Sequence, residues 1–254
     1  MAASSRRSVE TARVFGQVAD VYERTRPGYP PEAVEWLVGS TPHRVLDLGA
    51  GTGKLTAALV DAGHDVVAVD QSMQMLAILR KSVPSADVRE GRAEAIPLPD
   101  ADVATVVAAQ AFHWFDHSVA LPEIARVLQP HGRLGLVWNL RDESTPWVAE
   151  LSQVIGSDDA STAELTPGLE AARTHFEAFE SALFRYVQRL DRDTLLGLVR
   201  SRSYVAIRPA DEQDAICADV ARLFDRYAGP DGLTLPYVTH CHRARRSFRV
   251  ASRG

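Results

Sequence analysis

The stretch VLDLGAGTGK, residues 45–54, constrains the fold more than any other part of this 254-residue chain. Its first four residues have the apolar pattern that predicts the end of a buried strand. Glycines follow at Gly49, Gly51 and Gly53, and the next segment, LTAALVDAG, predicts a helix. A strand, a glycine-rich turn and a helix begin a βαβ unit. Glycine lets the backbone turn sharply and approach a ligand without a Cβ clash.

A second predicted strand, VVAVD, ends at Asp70, seventeen residues after Gly53. The carboxyl ends of neighbouring parallel strands meet at one edge of a sheet, so Asp70 is expected beside the glycine turn. A carboxylate in that place can accept hydrogen bonds from both hydroxyls of a ribose. The two segments together predict a nucleoside-binding site.

The spacing of the glycines separates three kinds of nucleotide-binding loop. A dinucleotide-binding loop needs a third glycine at position 54, which is Lys54. A P-loop that ends in Gly53 and Lys54 needs a glycine at Leu48 and a hydroxyl at Leu55. Both patterns fail. The remaining pattern is D-x-G-x-G-x-G, which Asp47 leads, and its structural alternative is a tight turn with no ligand.

The composition is that of an ordinary globular protein. Hydrophobic residues make up 46% of the chain and charged residues 24%. The net charge of −5 does not favour a nucleic-acid partner. No apolar run reaches the ~20 residues of a membrane span. The beginning of the chain, MAASSRRSVE, has no apolar segment of the kind found in signal peptides.

The two cysteines, Cys217 and Cys241, predict no disulfide framework and fit a reducing compartment. We therefore expect a cytoplasmic protein. The sequence leaves a monomer and a homodimer both open.

Apolar strands alternate with amphipathic helices along most of the chain, which predicts an α/β fold with a doubly wound, seven-stranded, mostly parallel sheet. The predicted strands are residues 43–48, 65–69, 86–89, 102–109, 133–138, 182–190 and 234–242. Helices at 11–22 and 31–39 would form an N-terminal cap. Two helices between the last two strands would form an insertion that covers the site. We expect a single domain over 1–254, with cap helices in 1–40, a cofactor-binding core in 41–140 and a substrate-side region in 141–254.

Four segments resemble the motifs of the type 11 group of class I methyltransferases, which use S-adenosylmethionine (SAM). They are VLDLGAGTGK, VVAVD, EGRAEAIPLPD and VLQPHGRLGLVW, and the resemblance covers roughly residues 40–140. The segment from Phe15 to Pro30, together with AFHWFD and VWNLRD, resembles the trans-aconitate methyltransferase-like branch.

The resemblance implies SAM as the cofactor and a small-molecule acceptor. It implies that Tyr22 and Arg26 help to close over SAM and that Gln110 lies near its methionine end. Many relatives have an acidic residue where this chain has Arg92, so the adenine is expected to rely on backbone groups near Ala93 and Glu94. The full set of expected SAM contacts is Tyr22, Arg26, Asp47, Gly49, Ala50, Gly51, Asp70, Gln71, Met75, Arg92, Ala93, Glu94 and Gln110.

Aromatic and cationic residues outside these motifs are candidates for the acceptor pocket. The residues expected to contact the acceptor are Tyr29, His113, Trp114, Trp138, Arg141 and Tyr204, with Trp147 and Tyr237 as further apolar candidates. Arg26 and Arg141 could hold a carboxylate, which would give a methyl ester. A carboxylate acceptor needs no base, whereas a hydroxyl acceptor would need one. His113 is the candidate catalytic base, and its alternative role is to shape the pocket wall.

Three alternatives stay open at this point. The basic tail could serve a nucleic-acid or protein methyltransferase; its arginines are Arg243, Arg245, Arg246 and Arg249. The chain could also bind SAM without transferring a methyl group. His240 and His242 fall on one face of a predicted strand, but no carboxylate motif joins them, so no metal is expected.

Overall fold

The computed structural model describes residues 25–156 and 165–247. One seven-stranded sheet with the order β3-β2-β1-β4-β5-β7-β6 runs through this part of the chain. The strands are β1 Arg44–Leu48, β2 Asp65–Asp70, β3 Asp87–Glu90, β4 Val103–Ala109, β5 Leu128–Arg141, β6 Glu180–Leu190 and β7 Leu233–Arg245. Strand β7 runs antiparallel to β5 and β6, and the other pairs are parallel. The predicted seven-stranded, mostly parallel sheet is confirmed.

The helices cover both faces of the sheet. They are α1 Pro31–Val38, α2 Lys54–Asp61, α3 Met73–Ser82, α4 His117–Val127, α5 Pro146–Ile155, α6 Leu165–Ala172, α7 Arg192–Arg200, α8 Ser203–Ala206 and α9 Ala210–Tyr227. A short 3-10 helix at Phe112–Trp114 precedes α4. The C-terminal helical insertion is confirmed as α7 to α9. Of the predicted cap, α1 is present, and the helix expected at 11–22 lies outside the described residues.

Residues that alternate along the central strands pack on opposite faces of the sheet. Val45 faces a core shared with α1 and α2, whereas Leu46 faces a core shared with α4. Both side chains are fully buried. A parallel strand that is covered on both faces reads as a continuous apolar run, which is why the sequence identified these strands.

Polar caps fix where several helices begin. Ser72 accepts a hydrogen bond from the backbone N–H of Met75 at the start of α3, and Asp191 caps α7 in the same way. Helix α2 begins after Gly53, which has a left-handed φ of 95°, and no side chain caps it.

Two predicted strands are longer in the structure. The strand predicted at 133–138 begins earlier, since β5 starts at Leu128 and includes QPHG, 129–132. An irregularity lies there, because the register against β4 shifts between Val103 and Thr105. The strand predicted at 234–242 extends to Arg245 as β7.

The C-terminal half has an apolar core of its own beneath β6 and β7. Helices α5, α7 and α9 pack there through Leu151, Leu195 and Val220, which are all fully buried. Tyr237 of β7 belongs to the same core, so the insertion is packed directly on the sheet. None of the helices in the described ranges is long and apolar enough to span a membrane.

We predict that Leu151→Ala lowers the free energy of unfolding by about 2–5 kcal/mol, because the truncation leaves a cavity in this second core. The matched control is Leu183→Ala on β6, where the leucine is 65% exposed. The control should change stability by no more than about 0.5 kcal/mol. Urea unfolding followed by circular dichroism measures both variants. Equal effects of the two substitutions would contradict the packing of α5 against the sheet.

Candidate active site

Two adjoining cavities open at the carboxyl edge of β1, β2 and β4. The first has a volume of about 170 Å³ and the second about 50 Å³. The first is lined by Leu48, Gly49, Gly51, Asp70, Gln71, Ser72, Met75, Gly91, Arg92, Ala93, Glu94, Ala109, Gln110, Ala111, Trp114 and Phe115. The sheet brings together residues from several strand ends here, as expected at the edge where parallel strands finish.

The glycine loop is held against the end of β2 by its backbone. The N–H groups of Gly49 and Ala50 both donate to the carbonyl of Val69, at 2.8 and 3.1 Å. Gly49 and Gly51 have φ values of 74° and 57°, which favour glycine. A Cβ on Gly49 would lie 2.6 Å from the Cβ of Ala111, whereas a Cβ on Gly51 would meet nothing within 4 Å. Gly49 is therefore required by packing, and Gly51 faces open space.

Asp70 joins the glycine loop to the turn that follows β2. Its Oδ2 accepts from the N–H of Gly51 at 2.9 Å, and its Oδ1 accepts from the N–H of Ser72 at 2.8 Å. Burial raises the pKa of the carboxyl, and these backbone donors act against that rise. A carboxylate has about four lone-pair positions, so Asp70 can accept further hydrogen bonds in the first cavity.

Asp47 lies beneath the loop and lines neither cavity, although the sequence placed it among the SAM contacts. It is completely buried, and its Oδ2 accepts from the hydroxyl of Thr56 at 2.7 Å. Its Oδ1 has no hydrogen-bond partner among the described residues. Burial raises the pKa of this carboxyl to about 7, and the charge of Asp70 adds to the rise.

The opposite wall of the first cavity is the turn after β3. The N–H of Gly91 donates to the carbonyl of Asp70 at 3.1 Å. Glu94 accepts from the N–H of Asp116 at 2.9 Å and lies 3.4 Å from the guanidinium of Arg92. Glu94 therefore joins this turn to Asp116 at the start of α4, and the turn forms the wall where the sequence predicted the adenine.

The second cavity is cationic. It is lined by Arg26, Pro27, Tyr29, Gly49, Ala50, Gly51, Thr52, Lys54, Leu55, Ala109, Gln110, Asn139, Arg202 and Tyr237. Three of these side chains are basic, and no carboxylate is among them. Gly49, Gly51, Ala109 and Gln110 line both cavities, so the two spaces share one wall.

Arg26 ties the N-terminal turn, residues 25–29, to the end of α7. Its Nε donates to the hydroxyl of Ser201 at 3.1 Å, and its Nη2 donates to the carbonyl of Ser201 at 3.0 Å. Tyr29 in the same turn lines the second cavity. The predicted contact Tyr22 lies outside the described residues.

Comparisons with known proteins show which family the chain resembles. The methyltransferase domain family matches residues 46–136. An uncharacterized methyltransferase from Mycobacterium tuberculosis is 46% identical over 233 residues, which cover 91% of this chain and 94% of the relative. This chain belongs to the methyltransferases. A methyltransferase-like protein from Schizosaccharomyces pombe is 38% identical over 239 residues, covering 87% of this chain and 91% of its own.

The crystal structure of a candidate methyltransferase from an antibiotic biosynthesis pathway of Anabaena variabilis shares the fold. Its TM-score is 0.57 at 20% identity, and the match covers 83% of this chain and 95% of that one.

Several predicted acceptor contacts of this methyltransferase line neither cavity. Trp138 is 1% exposed in the core, and its Nε1 donates to Nδ1 of His113 at 3.5 Å. Arg141 donates to the hydroxyls of Ser152 and Tyr204, at 3.2 and 3.4 Å. Trp138 thus contacts His113, and Arg141 contacts Tyr204. None of these four side chains lines either cavity.

The other aromatic candidates are distributed differently. Trp114 lines the first cavity and Tyr237 the second, whereas Trp147 is buried in the C-terminal core. Within 25–156 and 165–247, no group of three or more His, Cys, Asp or Glu residues is arranged to hold a metal ion.

The residues of the second cavity that the sequence missed include Lys54, Asn139 and Arg202. Lys54 follows the glycine loop directly and could have been recognised from that position. Asn139 and Arg202 reach the cavity from β5 and from the end of α7, and no motif marks them.

The burial of Asp47 makes the methyltransferase less stable as the pH rises from about 4 to about 7. In this window the unfolded chain releases the Asp47 proton while the folded protein keeps it, so stability falls and is constant above the folded pKa of about 7. Asp47→Asn cannot ionise and still accepts from Thr56. The variant should therefore gain up to about 4 kcal/mol relative to the wild type between pH 4 and pH 8. Urea unfolding at a series of pH values measures this gain, and a difference that is independent of pH would contradict it.

Proposed function

We propose that this protein is a SAM-dependent methyltransferase that esterifies a carboxylate on a small molecule. The observation that carries the proposal is the pair of adjoining cavities with a shared wall. One cavity has the Asp70 carboxylate and the glycine loop, and the other has three basic side chains and no carboxylate.

The first cavity fits the nucleoside part of SAM. Asp70 would accept the ribose hydroxyls, and the turn at 91–94 would lie along the adenine. The open space in front of Gly51 supports the fit, since a Cβ there would project where no protein atom lies. The positive end of the helix dipole lies at the N-terminus of α2, where it would attract the methionine carboxylate. SAM supplies an activated methyl group, so the protein chiefly has to align the acceptor with it.

The second cavity fits an anionic acceptor. Arginine and lysine bind carboxylates through charge-assisted hydrogen bonds. Lys54 and Arg202 both line this cavity, so we assign them to the carboxylates of the acceptor and of the methionine group. This replaces the pairing of Arg26 with Arg141 that the sequence suggested.

The position of His113 supports an acceptor that needs no base. An indole N–H can only donate, so the Nδ1 of His113 accepts in its contact with Trp138. The proton of the neutral ring is then on Nε2, and His113 lines neither cavity. A carboxylate is already ionised at neutral pH, so its oxygen can attack without proton transfer.

One partial relative supports transfer to oxygen. A malonyl-[acyl-carrier protein] O-methyltransferase of Methylococcus capsulatus is 42% identical over 103 residues, which cover 38% of each chain. A demethylmenaquinone methyltransferase is 34% identical over 142 residues. Since these two names describe different acceptors, the proposal rests on the cavities.

The basic tail gives less support to a nucleic-acid acceptor. Arg243 donates to Glu180 and lies over the ring of Trp36, and Arg246 donates to the carbonyl of Leu128. Arg243 and Arg246 therefore bind other groups of the protein itself. Arg249 lies outside the described residues.

Methyl-labelled SAM and a panel of small carboxylic acids test the proposal. The labelled product should release volatile methanol in mild alkali, because a methyl ester hydrolyses there. The rate should rise with pH as the acceptor ionises. The pH–rate profile should show no additional inflection from a protein group between about pH 6 and 9. Retention of the label, as in an ether, N-methyl or C-methyl product, would refute the ester. Absence of any transfer would favour a SAM-binding protein without transferase activity.

Variants of the basic residues in the second cavity test their role in the same assay. Lys54→Met and Arg202→Met should each lower kcat/KM by about 10-fold or more, the loss expected for a charged hydrogen-bond partner. Arg185→Met on β6 is the control, since that side chain is 86% exposed and lines neither cavity. The control should keep wild-type activity.

Substitution of single glycines tests the SAM site. Gly51→Ala should stay folded at a cost of about 1 kcal/mol, yet raise the Kd for SAM about 10-fold or more, because its Cβ enters the space in front of the loop. Gly39→Ala is the matched control, with a φ of 91° and open space outside both cavities. It should lose stability and keep SAM affinity in calorimetry. Normal SAM binding by the folded Gly51→Ala variant would remove the site assignment.

A further inference from the structure

Asn139, near the carboxyl end of β5, makes three hydrogen bonds at the junction of the two cavities. Its Oδ1 accepts from the hydroxyl of Thr239 at 2.7 Å, and its Nδ2 donates to the carbonyl of Gly28 at 2.8 Å. Its main-chain carbonyl accepts from Nε2 of Gln110 at 3.2 Å. The side chain is 3% exposed, and the carbonyl of Gly28 can only accept, so the amide has one orientation.

The three partners of Asn139 belong to three different parts of the site. Thr239 lies on β7, Gln110 directly follows β4, and Gly28 lies in the N-terminal turn. Gln110 lines both cavities and has a φ of 55°, which is rare for a residue other than glycine. Its backbone N–H is held by the carbonyl of Val137 at 2.9 Å. One asparagine therefore joins the shared wall to the turn.

Two further hydrogen bonds hold the N-terminal turn, and Tyr29 also packs against the core beside β1, β4 and β5. Gln188 on the edge strand β6 donates to the carbonyl of Thr25 at 2.7 Å, and Arg26 donates to Ser201 after α7. Asn139 is on β5, which pairs with β4 and β7 on its two sides. Groups on a rigid strand hold a site more closely than groups on loops. The contact from Asn139 to Gly28 thus sets the position of the turn over the second cavity.

We propose that Asn139 is a positioning residue for methyl transfer, which holds the N-terminal turn in register with Gln110 so that Tyr29 walls the second cavity. Thr239 acts behind it, because its hydroxyl fixes the Asn139 amide. The inference rests on the proposed function for one point, that the second cavity receives the acceptor. It does not require that the acceptor be a carboxylate.

Limited trypsin digestion of the full chain tests the position of the turn. Trypsin cleaves after Arg24, whereas the bond after Arg26 is protected by Pro27. Cleavage of a folded protein follows the population of the opened segment. In Asn139→Ala, the fragment that begins at Thr25 should form about 10-fold faster or more, as expected when a buried hydrogen bond is lost.

A matched pair at Thr239 separates the hydrogen bond from packing. Thr239→Val removes the hydroxyl at nearly constant volume, and cleavage after Arg24 should accelerate. Thr239→Ser keeps the hydroxyl and should cleave at a rate close to that of Thr239 itself. If the serine variant behaves like the valine variant, packing explains the effect and the proposal fails. Unchanged cleavage in Asn139→Ala also overturns it.

Kinetics distinguish positioning from a loss of stability. With an acceptor found by the labelling assay, Asn139→Ala should raise the KM of the acceptor about 10-fold or more and leave the Kd for SAM within about 2-fold, since Asn139 lines only the second cavity. Parallel losses of both would show a merely structural role and overturn the proposal. If the wild type does not bind SAM, the proposed function fails, and the digestion still decides the role of Asn139 in the turn.

Discussion

The backbone hydrogen bonds between the glycine loop and the end of β2 are the interaction on which the site depends. Two successive N–H groups, of Gly49 and Ala50, converge on the carbonyl of Val69, and the next one, of Gly51, reaches Asp70. This geometry needs positive φ angles at Gly49 and Gly51, so side chains are excluded from these two positions. The absence of those side chains makes the space of the first cavity, and Asp70 both holds the loop and lines that space.

The sequence predicted what depends on local patterns. The apolar runs of β1 and β2 identified the central strands because these strands are buried on both faces. The glycine spacing and Asp70 then located the first cavity, since parallel strands end at one edge of a sheet. Asp47 was placed with them by motif alone, and the structure buries it under the loop because its carboxylate bonds to Thr56 on α2.

The second cavity could not be predicted in the same way, because distant segments form it. Arg26 bonds to Ser201 across 175 positions of the chain, and Asn139 bonds to Gly28 across 111. Aromatic character was a poor guide to this cavity. The buried Trp138 donates its indole N–H to the half-buried His113, and neither side chain lines this cavity. A residue type shows which contacts are possible, and only the tertiary packing decides which one forms.

The two cavities are therefore constrained differently. Most of the first is formed by strand ends and turns between 48 and 115, where the fold fixes the residues. The second takes walls from the N-terminal turn and from Arg202, beyond the sixth strand. Substitutions at Arg202 can change the charge of the second cavity without disturbing the hydrogen bonds of the glycine loop. A substitution at Asn139 differs from one at Arg202, because Asn139 contacts two parts of the site. Its main-chain carbonyl accepts from Gln110 in the shared wall, and its side chain donates to Gly28 in the turn. Under the proposed function, a change of acceptor is accordingly easier at the end of α7 than at the end of β5.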